Sequence, residues 1–287
     1  MRYPSRLVEA TSLKKMVPFI GAGVSKFAAP NLFPTWAEFI SNFLAKAKAD
    51  GHLPDHDFRD LSRLAAAGKS LTVAEHLKEV LPSDYYIDVL IETFDIILDE
   101  EADLSIYEIL FEMNPPIMIT TNYDRLIEDS YARLKRRNMD VKTHQESVGV
   151  IKALQRTRNN GYQTLFKIHG DVRTPSNVVL SEKDYRNVMY DLSDYRMAMD
   201  SIFSLYTVLF IGFSMGDKEM ISTIENLRHT FRYLESPHYI LLREGETSHV
   251  ERRRWREDFG LEVIEYTRGD DHRGLLHWFR DFSAESG

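Results

Sequence analysis

A histidine and an amide–carboxylate pair are the residues of this sequence best suited to proton transfer and to orienting a polar substrate. His169 follows the apolar stretch 165–168, and a histidine near neutral pH can act as a general base. Asn122 and Asp124 follow another apolar stretch, where an asparagine can orient a hydroxyl or a water and an aspartate can accept from an amide. Two other interpretations stay open on residue type alone: a packed core histidine, and a helix capped by Asn122 or Asp124.

Two glycine-containing segments could bind phosphate. They are Gly21-Ala22-Gly23-Val24-Ser25 and Gly212-Phe213-Ser214, and each follows a short apolar run. Glycine lets the backbone approach a pyrophosphate closely, and the amides at a helix N-terminus attract anions. Lys26 stands where the common dinucleotide fingerprint has its third glycine, which argues against a plain dehydrogenase. The alternative for both segments is an ordinary turn from a strand to a helix.

These segments must be positioned by strands that end at one edge of a sheet. Apolar runs predict strands over 16–20, 116–120, 164–168, 177–180, 206–211, 238–242 and 261–265. Helical spacing predicts helices over 36–47, 59–67, 71–80, 85–98, 104–111, 123–135, 195–205, 217–229, 249–258 and 272–282, and one more from residue 182. Because strands and helices alternate, we expect an α/β fold with a Rossmann-like, doubly wound parallel sheet. Ligands of such sheets bind outside the carboxyl ends of the strands.

A long helical block interrupts this alternation between about residues 28 and 112. A crossover between neighbouring parallel strands needs only about a dozen residues. We therefore expect a helical insertion or small subdomain within a single domain that spans residues 1–287. Thr35, with Glu38 three residues later, predicts a capping box at the start of its first helix.

Charge and composition exclude several classes of function. The net charge of −8 gives no sign of an overall nucleic-acid binder. The basic stretches 133–137 and 252–256 are typical of solvated helix faces, and a face that docks nucleic acid or a partner is the alternative. Glu182, Asp184 and Tyr185 open a predicted helix, where the dipole favours carboxylates, so we assign them no catalytic role. The chain has no cysteine, which excludes thiolate zinc sites and cysteine nucleophiles. We see no signal sequence or membrane helix and expect a cytoplasmic protein.

The four segments, in this order, resemble the Sir2 (sirtuin) superfamily. The family pattern reads Gly-Ala-Gly-x-Ser, Thr-x-Asn-x-Asp, His-Gly and Gly-x-Ser, and the matching residues are 21–25, 120–124, 169–170 and 212–214. Phe33-Pro34-Thr35-Trp36 is similar to the Pro-Thr/Ser-Trp segment of bacterial Sir2-like proteins. The resemblance covers roughly residues 16–265.

The resemblance implies NAD as the ligand and gives each segment a role. Asn122 would position the nicotinamide ribose and a water, Asp124 would hold the nicotinamide carboxamide, and His169 would be the general base at the ribose. The other implied NAD contacts are Gly21, Ala22, Gly23, Ser25, Thr121, Gly212 and Ser214.

Two departures from the family's protein deacylases bear on the activity. Deacylases usually carry a four-cysteine zinc ribbon after the His-Gly pair, whereas this chain lacks cysteine and has too little sequence between Gly170 and residue 177 to hold one. The Phe-Gly-Glu segment that helps to bind acyl-lysine peptides is also missing. We therefore expect no metal, and NAD as a substrate that is hydrolysed to nicotinamide and linear or cyclic ADP-ribose. A non-catalytic module that senses NAD or ADP-ribose and an NAD-dependent deacylase are the alternatives.

Cysteine-free bacterial Sir2-like proteins resemble the effectors of antiphage defence systems, which deplete NAD when triggered. Because an NADase that is always active would poison its own cell, we expect external control. The resemblance implies a homo-oligomer and a separate partner similar to a HerA-type DNA translocase or a short Argonaute-like protein. It implies neither membrane attachment nor direct binding to nucleic acid.

Overall fold

The computed structural model describes residues 3–30, 32–98, 100–155, 163–213, 237–267 and 273–286. The strands are β1 (Met16–Ile20), β2 (Met118–Thr120), β3 (Asp140–Thr143), β4 (Thr164–Lys167), β5 (Thr207–Ile211), β6 (His238–Arg243) and β7 (Leu261–Tyr266). The helices are α1 (Ser5–Ser12), α2 (Ala22–Ala28), α3 (Trp36–Ala49), α4 (Asp55–Ala66), α5 (Ser70–Val80), α6 (Ser83–Phe94), α7 (Ser105–Glu112), α8 (Leu126–Lys135), α9 (Ser147–Gln155), α10 (Glu182–Asp191), α11 (Ser193–Leu205), α12 (His249–Phe259) and α13 (Arg273–Ser286).

The seven strands form one sheet with the order β3-β4-β2-β1-β5-β6-β7. Every neighbouring pair is parallel. The chain starts near the middle of the sheet, builds one half and then returns through β5 to build the other. The predicted α/β fold with a Rossmann-like, doubly wound parallel sheet is confirmed.

The centre of the sheet is buried on both faces. Val17 and Phe19 of β1 point into one apolar core, while Met16 and Ile20 point into the other, because successive side chains of a strand face opposite sides. Every residue of β1 and β5 is buried. This double burial explains why both strands are continuous apolar runs rather than alternating sequences.

Helices α3 to α7 lie between α2 and β2 along the chain, in the stretch where we predicted a helical insertion. The first of them carries the predicted capping box: the Thr35 hydroxyl accepts from the Glu38 amide at 3.3 Å, and the Glu38 carboxylate accepts from the Thr35 amide at 2.7 Å. Apolar side chains of these helices share one core with a face of the sheet. The division into a single domain with an insertion stays a prediction.

Two predictions near the carboxyl edge of the sheet are wrong. Residues 178–180 form no strand but a buried loop after the short 3₁₀ helix Pro175–Asn177, and the amide of Val179 donates to the carbonyl of His169. A short buried apolar run gives the same signal in a loop as in a strand. The helix predicted from residue 123 starts at Leu126, because the Asp124 carboxylate accepts the Leu126 amide and keeps the preceding residues out of the helix.

Three elements were not predicted. Strand β3 lies at the edge of the sheet, and all four of its residues are only half-buried, so it lacks an apolar run. Helices α1 and α9 are short and flank predicted elements. The helix predicted over 217–229 and the candidate residue Ser214 lie outside the described residues.

Candidate active site

The four candidate segments follow strands that are neighbours in the sheet. Strands β4, β2, β1 and β5 are consecutive. The register pairs Ile20 with Thr120, Thr120 with Lys167, and Ile20 with Ile211. Asn122 and His169 each lie two residues beyond a paired position, so they leave the sheet at the same level. The fold therefore brings the glycine turn, the amide–carboxylate segment, the histidine and Gly212 to one edge.

The Ser25 hydroxyl joins the two side chains of the amide–carboxylate segment. Asn122 Nδ2 donates to Ser25 Oγ at 3.0 Å, and Ser25 Oγ donates to Asp124 Oδ2 at 3.2 Å. All three side chains are buried. The side-chain amide of Asn122 is used in the contact with Ser25 and not at a helix start, whereas Asp124 Oδ1 accepts the amide of Leu126, the first residue of α8, at 2.9 Å, so the helix-start interpretation holds for Asp124 alone.

Asp124 lies in a setting that disfavours its charge. Burial raises the pKa of this carboxyl above its usual value, although Lys167, the Leu126 amide and the Ser25 hydroxyl act in the opposite direction. Each carboxylate oxygen has a second lone pair beyond the one that Leu126 or Ser25 occupies. Asp124 can thus accept a further hydrogen bond from a ligand amide without losing the contacts that orient it.

The histidine is buried and neutral. The side chain of His169 is 7% exposed, and burial, with a smaller contribution from nearby His144, lowers its pKa to about 3. Its Nδ1 atom lies 3.2 Å from the hydroxyl of Tyr185. A neutral imidazole has a free lone pair that can take up a proton, as the general-base role requires, but burial makes this imidazole a weak base in the absence of a ligand.

A buried lysine fixes the segment from beneath. Lys167 Nζ donates to the carbonyls of Tyr123 and Asp124 at 3.1 and 2.5 Å, and lies 3.1 Å from carboxylate oxygens of both Glu128 and Asp171. Burial works against the charge of Lys167, but the two carboxylates outweigh it and raise its pKa. Lys167 thereby ties the end of β4 to the loop that carries Asn122 and Asp124.

The two carboxylates beside Lys167 differ in how closely Arg173 approaches them. Arg173 forms a bidentate pair with Asp171 at 2.9 and 2.8 Å, and these bonds outweigh burial and hold the pKa of Asp171 at about 2. The nearest guanidinium nitrogen of Arg173 is 3.9 Å from Glu128, and burial raises the pKa of Glu128. The Asp171 carboxylate therefore stays charged beside the site.

The glycines of the first segment allow two turns to touch. The amides of Gly21 and Gly23 donate to the carbonyls of Ile211 and Gly212 at 2.8 and 2.9 Å. A Cβ atom on Gly23 would lie 2.7 Å from the Gly212 oxygen. The Gly23 amide thus already has a partner within the protein, so any approach to a phosphate there uses the exposed side of the turn rather than this N–H.

The remaining predicted residues lie around this centre. Ala22 opens α2 and is half-buried, and Thr121 is half-buried and donates its amide to the carbonyl of Ile20 at 3.4 Å. Sequence reasoning missed Lys167 and gave Tyr185 no role. For Lys167, the available signal was a lysine at the end of an apolar strand. For Tyr185, nothing in the sequence placed it beside His169.

Across the described ranges, no three acidic or histidine side chains group as metal ligands. In the same ranges, no helix combines the length and apolar character needed to cross a bilayer.

Comparisons with known proteins identify the family of this chain. A family model described as a SIR2-like domain matches residues 116–264, more than half of the chain. NAD(+) hydrolase ThsA of Bacillus cereus (strain MSX-D12) is 32% identical over 155 residues, which are 53% of this chain and 31% of that protein. ThsA of Enterococcus faecium is 30% identical over 128 residues, 44% of this chain and 25% of that protein.

Defense-associated sirtuin 2 of Bacillus subtilis is 25% identical over 218 residues, 74% of this chain and 19% of that protein. The chain therefore spans less than a third of the length of each of these relatives. With its SIR2-like match and its four strand-end segments at one edge of the sheet, the chain belongs to the SIR2-like family.

Proposed function

We propose that this protein is an NAD glycohydrolase that cleaves NAD to nicotinamide and ADP-ribose. The observation that carries the proposal is the placement of His169 and Asn122 at one level of neighbouring strands, with Ser25 linking Asn122 to Asp124. Relatives named NAD(+) hydrolase support it. A binding module has no need of a neutral buried histidine beside an oriented amide and carboxylate.

The reaction breaks the bond between ribose C1′ and the nicotinamide nitrogen, and the electron pair leaves with nicotinamide. Asp124 would orient the leaving group through its carboxamide, and Asn122 would place a water near C1′. Water then bonds to C1′, and its proton passes to the neutral ring of His169. The predicted NAD contacts at Gly21, Ala22, Gly23, Ser25, Thr121, Gly212 and Ser214 belong to this proposal and need no metal.

The cellular role that we propose is that of an antiphage defence effector, which acts in the cytoplasm as a homo-oligomer and depletes NAD when triggered. A relative named defense-associated sirtuin supports the defence role. We propose that a separate sensor, similar to a HerA-type translocase or a short Argonaute-like protein, supplies the trigger. We propose no direct contact with nucleic acid.

Nicotinamide release from NAD by the purified protein tests the activity, alone and with each candidate partner. The variant His169→Ala is compared with His277→Ala, whose histidine is exposed on α13. General base catalysis contributes about 10²–10⁴-fold, so His169→Ala should lose about that much turnover while His277→Ala retains it. Full turnover by His169→Ala would rule out His169 as the general base.

Other products or silence would favour the alternatives. Tight NAD binding without nicotinamide release, in every assembly tested, supports the sensing module. An acyl-ADP-ribose product formed with an acylated peptide supports a deacylase.

A further inference from the structure

One nitrogen of the candidate base faces a tyrosine rather than the ligand side. Nδ1 of His169 lies 3.2 Å from the Tyr185 hydroxyl, within hydrogen-bond distance. The two rings meet edge to face, with centroids 4.8 Å apart and an angle of 70° between their planes. Both a directional polar contact and a ring contact therefore fix the imidazole.

Tyr185 is itself held firmly in place. It lies in the first turn of α10, where Ser181 and Asp184 form a capping box. The carboxylate of Asp184 also pairs with Lys78 of α5 at 2.7 Å. The amide of Lys183 donates to Glu75, again on α5, at 2.8 Å. The start of α10 is thus bound to a second helix, so the phenol has little freedom to leave His169.

The position of one hydrogen decides whether His169 can act as a base toward a ligand. A neutral imidazole carries its hydrogen on Nδ1 or on Nε2, and only the other nitrogen can accept a proton. Among the described residues, Nε2 has no hydrogen-bond partner, whereas Nδ1 has the phenol oxygen. A hydrogen on Nδ1 would be satisfied inside the protein and would leave the lone pair of Nε2 for the ligand.

We propose that Tyr185 is a positioning residue for His169: its oxygen accepts the Nδ1 hydrogen and so presents Nε2 as the base. The inference rests on the proposed NAD hydrolysis. In this role Tyr185 acts through the ring that it orients and not on the ribose or the water itself. The same tyrosine donating to Nδ1 would give the opposite tautomer and a ring unable to take the proton.

Turnover measurements test the consequence for the reaction. Tyr185→Phe removes only the hydroxyl, and Tyr190→Phe is the matched control because Tyr190 lies on the same helix with 64% of its side chain exposed. Loss of one neutral hydrogen bond predicts a roughly ten-fold drop in kcat for Tyr185→Phe, with KM unchanged. Tyr190→Phe should match wild type. Equal kcat for Tyr185→Phe and wild type overturns the proposal.

Nitrogen NMR of isotope-labelled histidine reads the tautomer directly and needs no activity. The His169 signals are identified by their loss in His169→Ala. We expect wild type and Tyr190→Phe to carry the hydrogen on Nδ1 and Tyr185→Phe to populate both tautomers. A wild-type hydrogen on Nε2, or no change in Tyr185→Phe, overturns the proposal. If wild type bound NAD without releasing nicotinamide, the hydrolase would fail while this measurement still decided the role of Tyr185.

Discussion

At the scale of single residues, one hydroxyl organises the polar centre. Ser25 receives the Asn122 amide and gives its own hydrogen to Asp124, so one side chain fixes the orientation of two others. All three are buried, which makes each bond costly to lose. Because the Asn122 nitrogen is bound to Ser25, the side-chain amide cannot rotate freely, and the direction of its oxygen is fixed as well.

Replacement of Ser25 by alanine should slow NAD hydrolysis and shift its pH dependence. The Ser25 hydroxyl lowers the pKa of Asp124, so its removal raises that pKa further. The carboxylate would then be protonated at a higher pH, and the acidic limb of the pH–rate profile should move upward, with a roughly ten-fold loss of turnover at its maximum.

Ser41→Ala is the control for the Ser25 prediction, because Ser41 is exposed on α3 and its hydroxyl donates to the carbonyl of Ala37 in its own helix. Its profile should superimpose on that of wild type. If the pH–rate profile of Ser25→Ala also superimposes on that of wild type, the Ser25 hydroxyl does not influence the protonation of Asp124.

At the scale of elements, the site depends on two turns that touch through glycine. Gly212 has a φ of +74°, and a Cβ atom there would lie 2.6 Å from the amide nitrogen of Val24. The positive φ excludes most side chains on conformational grounds, and the close approach excludes any side chain on steric grounds. The first turn of α2 and the end of β5 are therefore one packed unit.

Gly212→Ala should destabilise the fold more than Gly245→Ala. Gly245 also has a positive φ of +83°, but a Cβ atom there would meet nothing within 4 Å. Both variants carry the conformational cost of about 1–2 kcal/mol, and only Gly212→Ala adds a clash worth about 1–3 kcal/mol. Urea unfolding measures both free energies, and equal losses would contradict the close packing of the two turns.

How far the sequence predicts these elements depends on how each is buried. Strands β1 and β5 are buried on both faces, so their apolar runs were unambiguous. Strand β3 is half-buried and held by pairing with β4, a long-range contact that no local pattern encodes. The loop 178–180 has the apolar character of a strand without a partner strand. Residue types predicted the candidate site residues, which stay a prediction, whereas the contact of Tyr185 with His169 depends on how α10 packs.

At the scale of the whole molecule, helices α5 and α10, which are distant in sequence, meet near the candidate base. Helix α5 contacts α10 through Lys78 with Asp184 and through Thr72 with Glu182, the latter at 3.0 Å. At the first residue of β6, His238 is a packed core histidine that accepts the Val208 amide at 3.2 Å. Histidines thus serve both open interpretations in one fold: His238 packs, while His169 stands at the strand ends.

The stability of the whole fold should fall as the pH drops below about 6.5, in part through His238. Burial lowers the pKa of His238 to about 4 in the folded protein. As the pH falls, the histidine is therefore protonated first in the unfolded chain, which shifts the equilibrium toward unfolding. Between pH 7 and pH 5 this one group should remove about 2 kcal/mol from the free energy of unfolding.

His238→Asn keeps an acceptor near Val208 and removes the titration. Whatever its stability relative to wild type, the difference between its unfolding free energies at pH 7 and pH 5 should be smaller than that of wild type by about 2 kcal/mol. An unchanged difference, measured by urea unfolding at both pH values, would contradict the assignment.

The central position of β1 has a consequence for the growing chain. β1 is made early, yet its partners β2 and β5 begin at Met118 and Thr207, and the Asn122–Ser25 bond spans 97 residues. Contacts so distant in sequence close slowly, and synthesis proceeds from the N-terminus at about 5–20 residues per second. A nascent chain therefore contains the glycine turn and later Asn122 while it still lacks the Gly212 carbonyl that receives the Gly23 amide. The order of translation keeps the site unassembled until β5 has been made.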